Sequence, residues 1–488
     1  MDHAKRILVI VNSPQKGLLV SIGKILEERG HSVFFIARDR DVKKVIRNLL
    51  PHLDDSRIDV KDEYATDLRS LDITAECRKR EQEFKETFSM ICSYDRALGK
   101  GYILNVDRYP DIVRSWWPQE KKYEVILEEF LYYESVLRKF DVNLILAFGN
   151  NKVLSLIARK NGILYATIDS ARYKANYLWV ENEHYQNFNF EKRVEENLVR
   201  DLEGMQDGEK IAYEQNYIAK SVFQQLDYSY AYGLKSALKR VVIESANRLR
   251  GRYKRNSYRF LGWVPSMLRR PYVFKYLSRY GFKPAQLKDR RVIFFPLHFE
   301  PESSLLALSP ELNNSIEIVT WISKAAPADT VIVVKEHPDC FGVRSRRYYD
   351  NFRKMANVML AHPETTSWEW IDRSSLIGTI TGTAGFEAVY FKKPVLSFGK
   401  YQVINRLPTV RYANTYETVK AGLDDLLNLE RDDERFERCR KALHRALLSV
   451  SVEIPGFEKT YESCEMHIDM ARTLVDNLYD QFRSSLKN

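Results

Sequence analysis

Short segments of uninterrupted apolar residues recur along this chain, and each is followed by a polar turn and a helical pattern. Residues 7–11 and 33–36 flank a segment whose apolar side chains recur at helical spacing, and residues 142–148 and 163–168 flank another. A strand that is apolar on both faces is typical of a parallel sheet covered by helices on both sides. The pattern therefore predicts an α/β fold built from doubly wound parallel sheets.

The same alternation starts afresh near residue 292, which indicates a second domain. Strands are predicted at 292–295, 331–334, 376–380 and 394–398, with helices between them, one of which is predicted over 386–391. A chain of 488 residues exceeds what one hydrophobic core ordinarily supports. We expect two Rossmann-like domains that face each other across a cleft, with helical connecting and C-terminal segments. The expected divisions are an acceptor-side domain with helical insertions over 1–234, a basic helical connector over 235–290, a nucleotide-binding domain over 291–430 and C-terminal helices over 431–488.

The net charge of +10 is concentrated between residues 235 and 291, where basic residues are interspersed with aromatic and apolar ones. Lysine and arginine beside tryptophan and tyrosine favour the surface of an anionic membrane. Nucleic-acid binding is disfavoured, because the segment has no glycine-rich or RNP-like pattern. We therefore expect peripheral membrane contact through 235–291 and no nucleic-acid partner. A solvated face of connecting helices is the alternative.

The cysteines and the hydropathy pattern predict a cellular location. Five cysteines are widely spaced and contain no C-x-x-C pair, which argues against a disulfide framework and against a zinc site. The chain has no run of about 18 apolar residues and no signal-peptide pattern. We expect a cytoplasmic protein, peripheral on the inner face of the plasma membrane.

A loop of small residues follows one predicted strand of the second domain, in the sequence TITGTAGFEA. The N–H groups at the start of a helix bind phosphate when nothing bulky blocks its approach. Thr381, Gly382, Thr383 and Gly385 are therefore predicted to bind a phosphate group, and Glu387, in the first turn of the helix, a ribose. A tight strand-to-helix turn with threonine capping is the alternative.

Histidines follow two other predicted strands of the second domain. His337 and Pro338 end the segment KEHP, and a histidine at a strand end can donate to a phosphate or carboxylate. His298 lies in FPLHFEPESS, after the first strand of this domain and at the border of the predicted cleft. An ordinary proline turn at His337 and a helix-capping role for Glu302 are the alternatives. From these two segments, the candidates for donor or acceptor binding are His298, Glu300, Glu302, Glu336 and His337.

Three segments, taken together and in this order, carry a resemblance: FPLHFEPESS, VVKEHP and TITGTAGFEAVYFKKPVLSFG. They resemble the bacterial capsule polysaccharide biosynthesis family, which includes the Kdo transferases of capsule assembly. The resemblance covers residues 290 to 400. It implies a glycosyltransferase-B fold, a nucleotide-activated donor, commonly a CMP-linked acidic sugar, and a lipid-linked or polysaccharide acceptor. His337-Pro338 is similar to the His-Pro element with which bacterial sialyltransferase-like enzymes hold the donor phosphate. By this analogy His337 and the loop 381–383 stabilise the departing nucleotide.

An inverting transfer of this kind also needs a carboxylate that takes the proton of the acceptor hydroxyl, and the first domain should supply it. Asp169 is the candidate base, and Arg172 and Lys174 follow it as candidates for binding an acidic sugar or phosphate. The Asp/Glu-Asp/Glu-Gly element of the sialyltransferase-like families is missing at this position. The alternative is that Asp169 only caps a turn. No Asp-x-Asp motif stands in a fitting place. We therefore expect no metal ion. We expect no cofactor either, because the nucleotide-sugar is a substrate.

The sequence thus predicts a metal-independent glycosyltransferase of capsule or surface polysaccharide biosynthesis, with capsule assembly proteins as further partners. A CDP-glycerol-type glycerophosphotransferase and a nucleotide-sugar epimerase are the enzyme alternatives, since they share the fold. An inactive scaffold of the capsule assembly complex is the alternative that is not an enzyme.

Overall fold

The computed structural model describes residues 5–12, 15–95, 98, 117–200, 228–249, 261, 263–299, 303–429 and 433–487. The strands are β1 (Arg6–Val11), β2 (Ser32–Ala37), β3 (Ile58–Val60), β4 (Leu144–Phe148), β5 (Leu164–Ser170), β6 (Asn176–Glu181), β7 (Arg291–Pro296), β8 (Thr330–Lys335), β9 (Val358–Leu360), β10 (Leu376–Thr379), β11 (Val395–Ser397), β12 (Val410–Tyr412) and β13 (Val452–Glu453).

Helices separate most of these strands. They are α1 (Lys16–Glu28), α2 (Arg40–Leu49), α3 (Ile73–Phe84), α4 (Phe88–Tyr94), α5 (Gln119–Phe140), α6 (Lys152–Lys160), α7 (Phe188–Val199), α8 (Tyr230–Leu249), α9 (Val264–Tyr280), α10 (Ser303–Leu308), α11 (Ser315–Ala325), α12 (Arg346–Arg353), α13 (Ser367–Arg373), α14 (Thr383–Tyr390), α15 (Tyr416–Leu427), α16 (Asp433–Val450) and α17 (Ile468–Lys487).

The second domain contains a six-stranded sheet in the order β9-β8-β7-β10-β11-β12. All of its strand pairs are parallel, and the order is that of a doubly wound Rossmann sheet. The strand order reverses between β7 and β10. Ligands of such sheets bind beyond the carboxyl ends of the strands at this reversal. The predicted loops after β7, β8 and β10 all lie at this edge.

The first domain contains a seven-stranded sheet in the order β13-β6-β5-β4-β1-β2-β3. Its central strands are parallel, and the predicted architecture of two doubly wound domains is confirmed. The sequence pattern did not reveal one feature, an edge where β6 runs antiparallel to β5 and β13. The turn 171–175 is too short for the long crossover that a parallel pair requires, so the chain reverses direction there.

Both faces of the first sheet are covered, which explains the continuous apolar runs. On β1, Val9 packs in one core with helices α1 and α17. The neighbouring Leu8 points to the other face and packs in a second core with α5. Side chains alternate between the two faces of a strand, so a run with both faces buried must be apolar throughout.

The end of the chain returns to the first domain. Strand β13 pairs with β6, and Ala471, Leu474 and Val475 of α17 are fully buried in the core of the first domain. Trp179 of β6 donates its indole N–H to the carbonyl oxygen of Leu474 at 2.8 Å. The C-terminal helix is therefore an integral part of the first domain.

The basic connector is divided between core and surface. Val273 and Leu277 of α9 are buried in the core of the second domain, and the Tyr276 hydroxyl donates to Asp350 at 2.5 Å. Helix α8 instead exposes several large apolar side chains. Among the described residues, no helix is both long enough and apolar enough to cross a membrane.

Replacing Leu474 with alanine tests the packing of α17 on the first domain. The side chain is fully buried, and its truncation leaves a cavity, so Leu474→Ala should destabilise the protein by about 2–5 kcal/mol. Urea unfolding followed by circular dichroism measures the change as a lower midpoint. Arg472→Ala on the exposed side of the same helix is the control and should change stability by less than about 0.5 kcal/mol. Equal midpoints for Leu474→Ala and the wild type would contradict this packing.

Candidate active site

His298 holds the loop that follows β10. Its Nε2 atom accepts hydrogen bonds from the backbone N–H groups of Ile380 at 3.2 Å and Thr381 at 3.4 Å. The ring is 4% exposed, and its pKa is lowered to about 3, first by burial and then by cationic neighbours that include Arg344 and Arg172. The neutral ring therefore carries its proton on Nδ1. These bonds assign His298 a positioning role within the protein, and its contact with the donor stays a prediction.

Glu336 belongs to a buried ion pair. Its Oε1 atom accepts from the Arg344 guanidinium and from the backbone N–H of His337, and its Oε2 atom accepts from the Tyr349 hydroxyl at 2.6 Å. Arg344 also donates to the carbonyl oxygen of His298 at 2.6 Å. Both carboxylate oxygens are thus engaged within the protein. The geometry makes Glu336 a brace between the ends of β7 and β8, in place of the predicted contact with a donor.

His337 lies directly after β8 and keeps part of its ring accessible, with 29% of the side chain exposed. Its Nδ1 atom accepts from the backbone N–H of Asp339 at 3.3 Å, so the proton of the neutral ring is on Nε2. Burial, followed by the charges of Arg344 and Lys335, lowers the pKa of His337 to about 3. At neutral pH His337 is therefore a hydrogen-bond donor without a charge.

Helix α14 begins at Thr383, three residues earlier than the pattern predicts, with Gly382 as its N-cap. The Gly382 N–H donates to the Thr379 hydroxyl at 3.2 Å, which draws the chain into the helix. Thr383 is exposed and Thr381 is buried. The Thr381 hydroxyl has no hydrogen-bond partner among the described residues. Of the predicted phosphate-binding side chains, Thr383 is thus the accessible one.

The glycines of this loop are required by close packing. A Cβ atom on Gly382 would lie 2.9 Å from Cε1 of His298, and one on Gly385 would lie 2.8 Å from Cδ1 of Ile404. Gly385 therefore allows α14 to approach its neighbours, which differs from the predicted phosphate contact. Glu387 is 3% exposed and lies in the second turn of α14. The predicted first-turn position is wrong, because the helix starts earlier.

Asp169 and Arg172 line a pocket between the two domains. Arg172 donates to the carbonyl oxygen of Thr381 at 2.9 Å. Burial raises the pKa of Asp169, against the opposing charge of Arg172. Lys174 instead lies over the Tyr173 ring, 5.7 Å from its centroid. Of the three candidates that the first domain supplies, the structure therefore brings two, Asp169 and Arg172, into the pocket.

Other residues of the site come from segments that sequence motifs did not single out. Gln402 is 5% exposed and donates to the carbonyl oxygen of Ile380 at 2.6 Å. Tyr401 and Gln402 line the same pocket as Asp169, together with Phe386 of the predicted loop segment TITGTAGFEA. Nothing in the spacing of Tyr401 and Gln402 identifies them as site residues.

Glu300 and Glu302 lie outside the described residues. In the described part of the chain, no cluster of three His, Cys, Asp or Glu residues is placed to hold a metal ion.

A family model described as "Capsule polysaccharide biosynthesis protein" matches residues 155–403, a little more than half of the chain. The chain belongs to this family. The match includes Asp169 and Arg172 of the first domain and all three predicted loops of the second. The expected family relationship is therefore confirmed.

Solved structures with a similar fold include the following three. The S. aureus MnaA structure with UDP has 12% identity and a TM-score of 0.29, with 99% of this chain and 97% of that chain covered. A beta Kdo 2,7 transferase, KpsC of Thermosulfurimonas dismutans, has 14% identity and a TM-score of 0.28, with 63% and 87% covered. The UDP-GlcNAc 2-epimerase of Methanocaldococcus jannaschii has 13% identity and a TM-score of 0.28, with 91% and 99% covered. These low similarities add nothing to the assignment of function. No curated protein sequence matches the chain.

Removing Arg344 tests the buried ion pair. Arg344→Met leaves the Glu336 carboxylate buried without its cation and should destabilise the protein by about 3–5 kcal/mol. The double variant Glu336→Gln/Arg344→Met should be more stable than Arg344→Met alone, because no buried charge remains unpaired. Thermal and urea unfolding measure both changes.

Arg346→Met is the matched control, since 53% of the Arg346 side chain is exposed, and it should change stability by less than about 0.5 kcal/mol. If Arg344→Met were no more destabilising than this control, the ion pair would not brace the site.

Proposed function

We propose that this protein is a glycosyltransferase of capsule or surface polysaccharide biosynthesis. It transfers a sugar from a nucleotide donor, for which a CMP-linked acidic sugar is favoured, to a lipid-linked or oligosaccharide acceptor. The main support is the hydrogen bond from Arg172, which lines the pocket with Asp169, to Thr381 of the opposite domain. A carboxylate and an anion-binding loop on opposite walls of one cleft suit a transfer between two bound substrates.

The second domain binds the donor and stabilises its leaving group. The neutral His337 ring offers an N–H from Nε2, and the N-terminus of α14 presents backbone N–H groups and the exposed Thr383 hydroxyl. Charge develops on the phosphate as the nucleotide departs, and preorganised donors stabilise it. We propose that these groups suffice without a metal ion.

The first domain supplies the base. Asp169 takes the proton of the acceptor hydroxyl while the hydroxyl oxygen forms a bond to the anomeric carbon of the donor. The bond between that carbon and the phosphate oxygen breaks, and the nucleotide leaves with the electron pair. Burial raises the pKa of Asp169, which makes it a stronger base than an exposed aspartate. Arg172 stabilises its charged form.

Variants of His337 and Asp169 should affect the reaction in different ways. His337→Ala should weaken nucleotide binding and lower turnover at least about tenfold, since it removes a donor to the leaving group. Asp169→Asn should leave nucleotide binding unchanged and lower turnover at least about a hundredfold, since it removes the base. Because the pKa of Asp169 is raised, the wild-type rate should fall on the acid side at a higher pH than for an ordinary aspartate. Calorimetric titration with CMP, CDP, UDP and GDP without added metal, together with a sugar-transfer assay, measures these effects.

His52→Ala is the matched control, because the His52 side chain is 63% exposed and lies outside the pocket lining. Unchanged turnover in a folded His337→Ala or Asp169→Asn protein would remove that residue from the mechanism. Consumption of CDP-glycerol or epimerisation of a UDP-sugar would identify one of the enzyme alternatives. Absence of nucleotide binding by the wild type would favour the scaffold. Loss of turnover in EDTA, restored by a divalent cation, would refute the metal-independent mechanism.

We further propose that α8 docks on an anionic membrane, at the inner face of the plasma membrane. Tyr230, Leu234, Leu238 and Val242 recur every four residues and are exposed, Leu238 by 59% and Val242 by 67%. Lys235 and Lys239 are exposed beside them. An apolar helix face flanked by lysines binds an anionic bilayer interface through both burial and charge. This proposal places the membrane contact, expected over 235–291, on one face of α8, and this face begins at Tyr230, before the expected range.

The variant Leu238→Glu/Val242→Glu should bind anionic vesicles at least about fivefold more weakly, because it places charges on the apolar face. Sedimentation with phosphatidylcholine vesicles, with and without phosphatidylglycerol, measures the binding. Leu448→Glu is the control, since Leu448 is 49% exposed on α16. Equal binding by the double variant and this control would exclude α8 as the docking surface.

A further inference from the structure

Lys335 is the last residue of β8 and lies at the reversal of strand order in the second domain. It pairs with Pro296 of β7, and its carbonyl oxygen accepts from the backbone N–H of Leu297 at 2.8 Å. It thus lies two residues before His337, beside the loop that carries His298. The mechanism described above does not use its side chain.

Strand alternation determines the face on which Lys335 lies. Val331 and Val333 of β8 belong to the core that also contains Ile377 of β10 and Ala384 of α14. Lys335 is two residues beyond Val333, so its side chain leaves the strand on the same face. This face of the sheet is covered by α13 and α14, and the N-terminus of α14 is the predicted phosphate-binding loop.

Lys335 is a buried residue, and no counterion binds its ammonium group within the described ranges. The residue is 6% exposed, and across the described ranges its ammonium makes no hydrogen bond and no ion pair. The carboxylates with an electrostatic effect on it are those of Glu336 and Glu369. Glu336 is bound by Arg344 and Tyr349. A buried cation without a bound anion is costly for a protein.

Glu369 is also engaged elsewhere. Its Oε2 atom accepts from the backbone N–H of Thr366 at 2.5 Å and from the Thr366 hydroxyl at 2.9 Å, and together these bonds cap α13. Burial lowers the pKa of Lys335 to about 8, in spite of the two carboxylates. At pH 7 most of the population therefore remains charged. The second domain thus holds a cation at the donor edge of the sheet, and an anionic ligand would complete its environment.

We propose that Lys335 binds an anionic oxygen of the donor's phosphate. The proposal rests on the function proposed above and adds to it a residue that recognises the donor. Lys335 supplies a positive charge, whereas the neutral His337 supplies a directed N–H. A charge-assisted hydrogen bond to phosphate is stronger than a neutral one, so Lys335 should contribute to binding even before the bond to the sugar breaks.

The test compares nucleotides with the corresponding nucleosides. Wild type, Lys335→Met and Lys335→Arg are titrated calorimetrically with CMP, UDP, cytidine and uridine. Lys335→Met should bind the nucleotide at least about tenfold more weakly than the wild type, because it lacks the charge, and should bind the nucleoside equally well. Lys335→Arg should retain part of the nucleotide affinity. Lys324→Met, at an exposed lysine of α11, is the control and should match the wild type.

Each other outcome overturns the inference. Equal nucleotide affinity of Lys335→Met and the wild type would show that Lys335 does not meet the phosphate. An equal loss for nucleotide and nucleoside would mean that Lys335 only supports the local structure, and a matching fall in melting temperature would identify this case. If the wild type bound no nucleotide, the proposed function itself would fail, and the inference would fail with it.

Discussion

The side of the cleft formed by the second domain depends on the buried ion pair between Glu336 and Arg344. Arg344 bonds both to Glu336 and to the carbonyl oxygen of His298, so it joins the ends of β7 and β8. His298 in turn binds two N–H groups of the loop after β10. Loss of either charged partner would leave the other buried and unpaired. The positions of the three loops at the reversal of strand order, those after β7, β8 and β10, therefore depend on one another.

The turn between β5 and β6 performs two tasks. Its residue Arg172 adopts a left-handed conformation with φ of 60° and reaches Thr381 across the cleft. The next residue, Tyr173, is buried in the core of the second domain and stacks on Tyr390, with 6.0 Å between the ring centroids. The same turn thus joins the domains and places a cation beside Asp169. The contact between the domains and the geometry around Asp169 are consequently coupled.

Burial is the largest cause of the pKa shifts in this region. It lowers the pKa of His298, His337 and Lys335 and raises that of Asp169. All four shifts favour the neutral form, as desolvation does for acids and bases alike. Few waters compete for hydrogen bonds in such a region, so donors and acceptors act more strongly on a developing charge. Clustered shifts of this kind are typical of functional sites.

The sequence by itself determined the two-domain α/β architecture and the loops of the site, because strands buried on both faces must be apolar throughout and ligands meet their carboxyl ends. It did not determine the antiparallel edge at β6, the start of α14, or which polar groups face a ligand. Glu336 and Gly385 serve contacts within the protein, since Arg344 and Ile404 arrive beside them from other segments. Only the tertiary structure decides which polar groups face a ligand, because the partners of a side chain at a strand end come from segments that are distant in sequence.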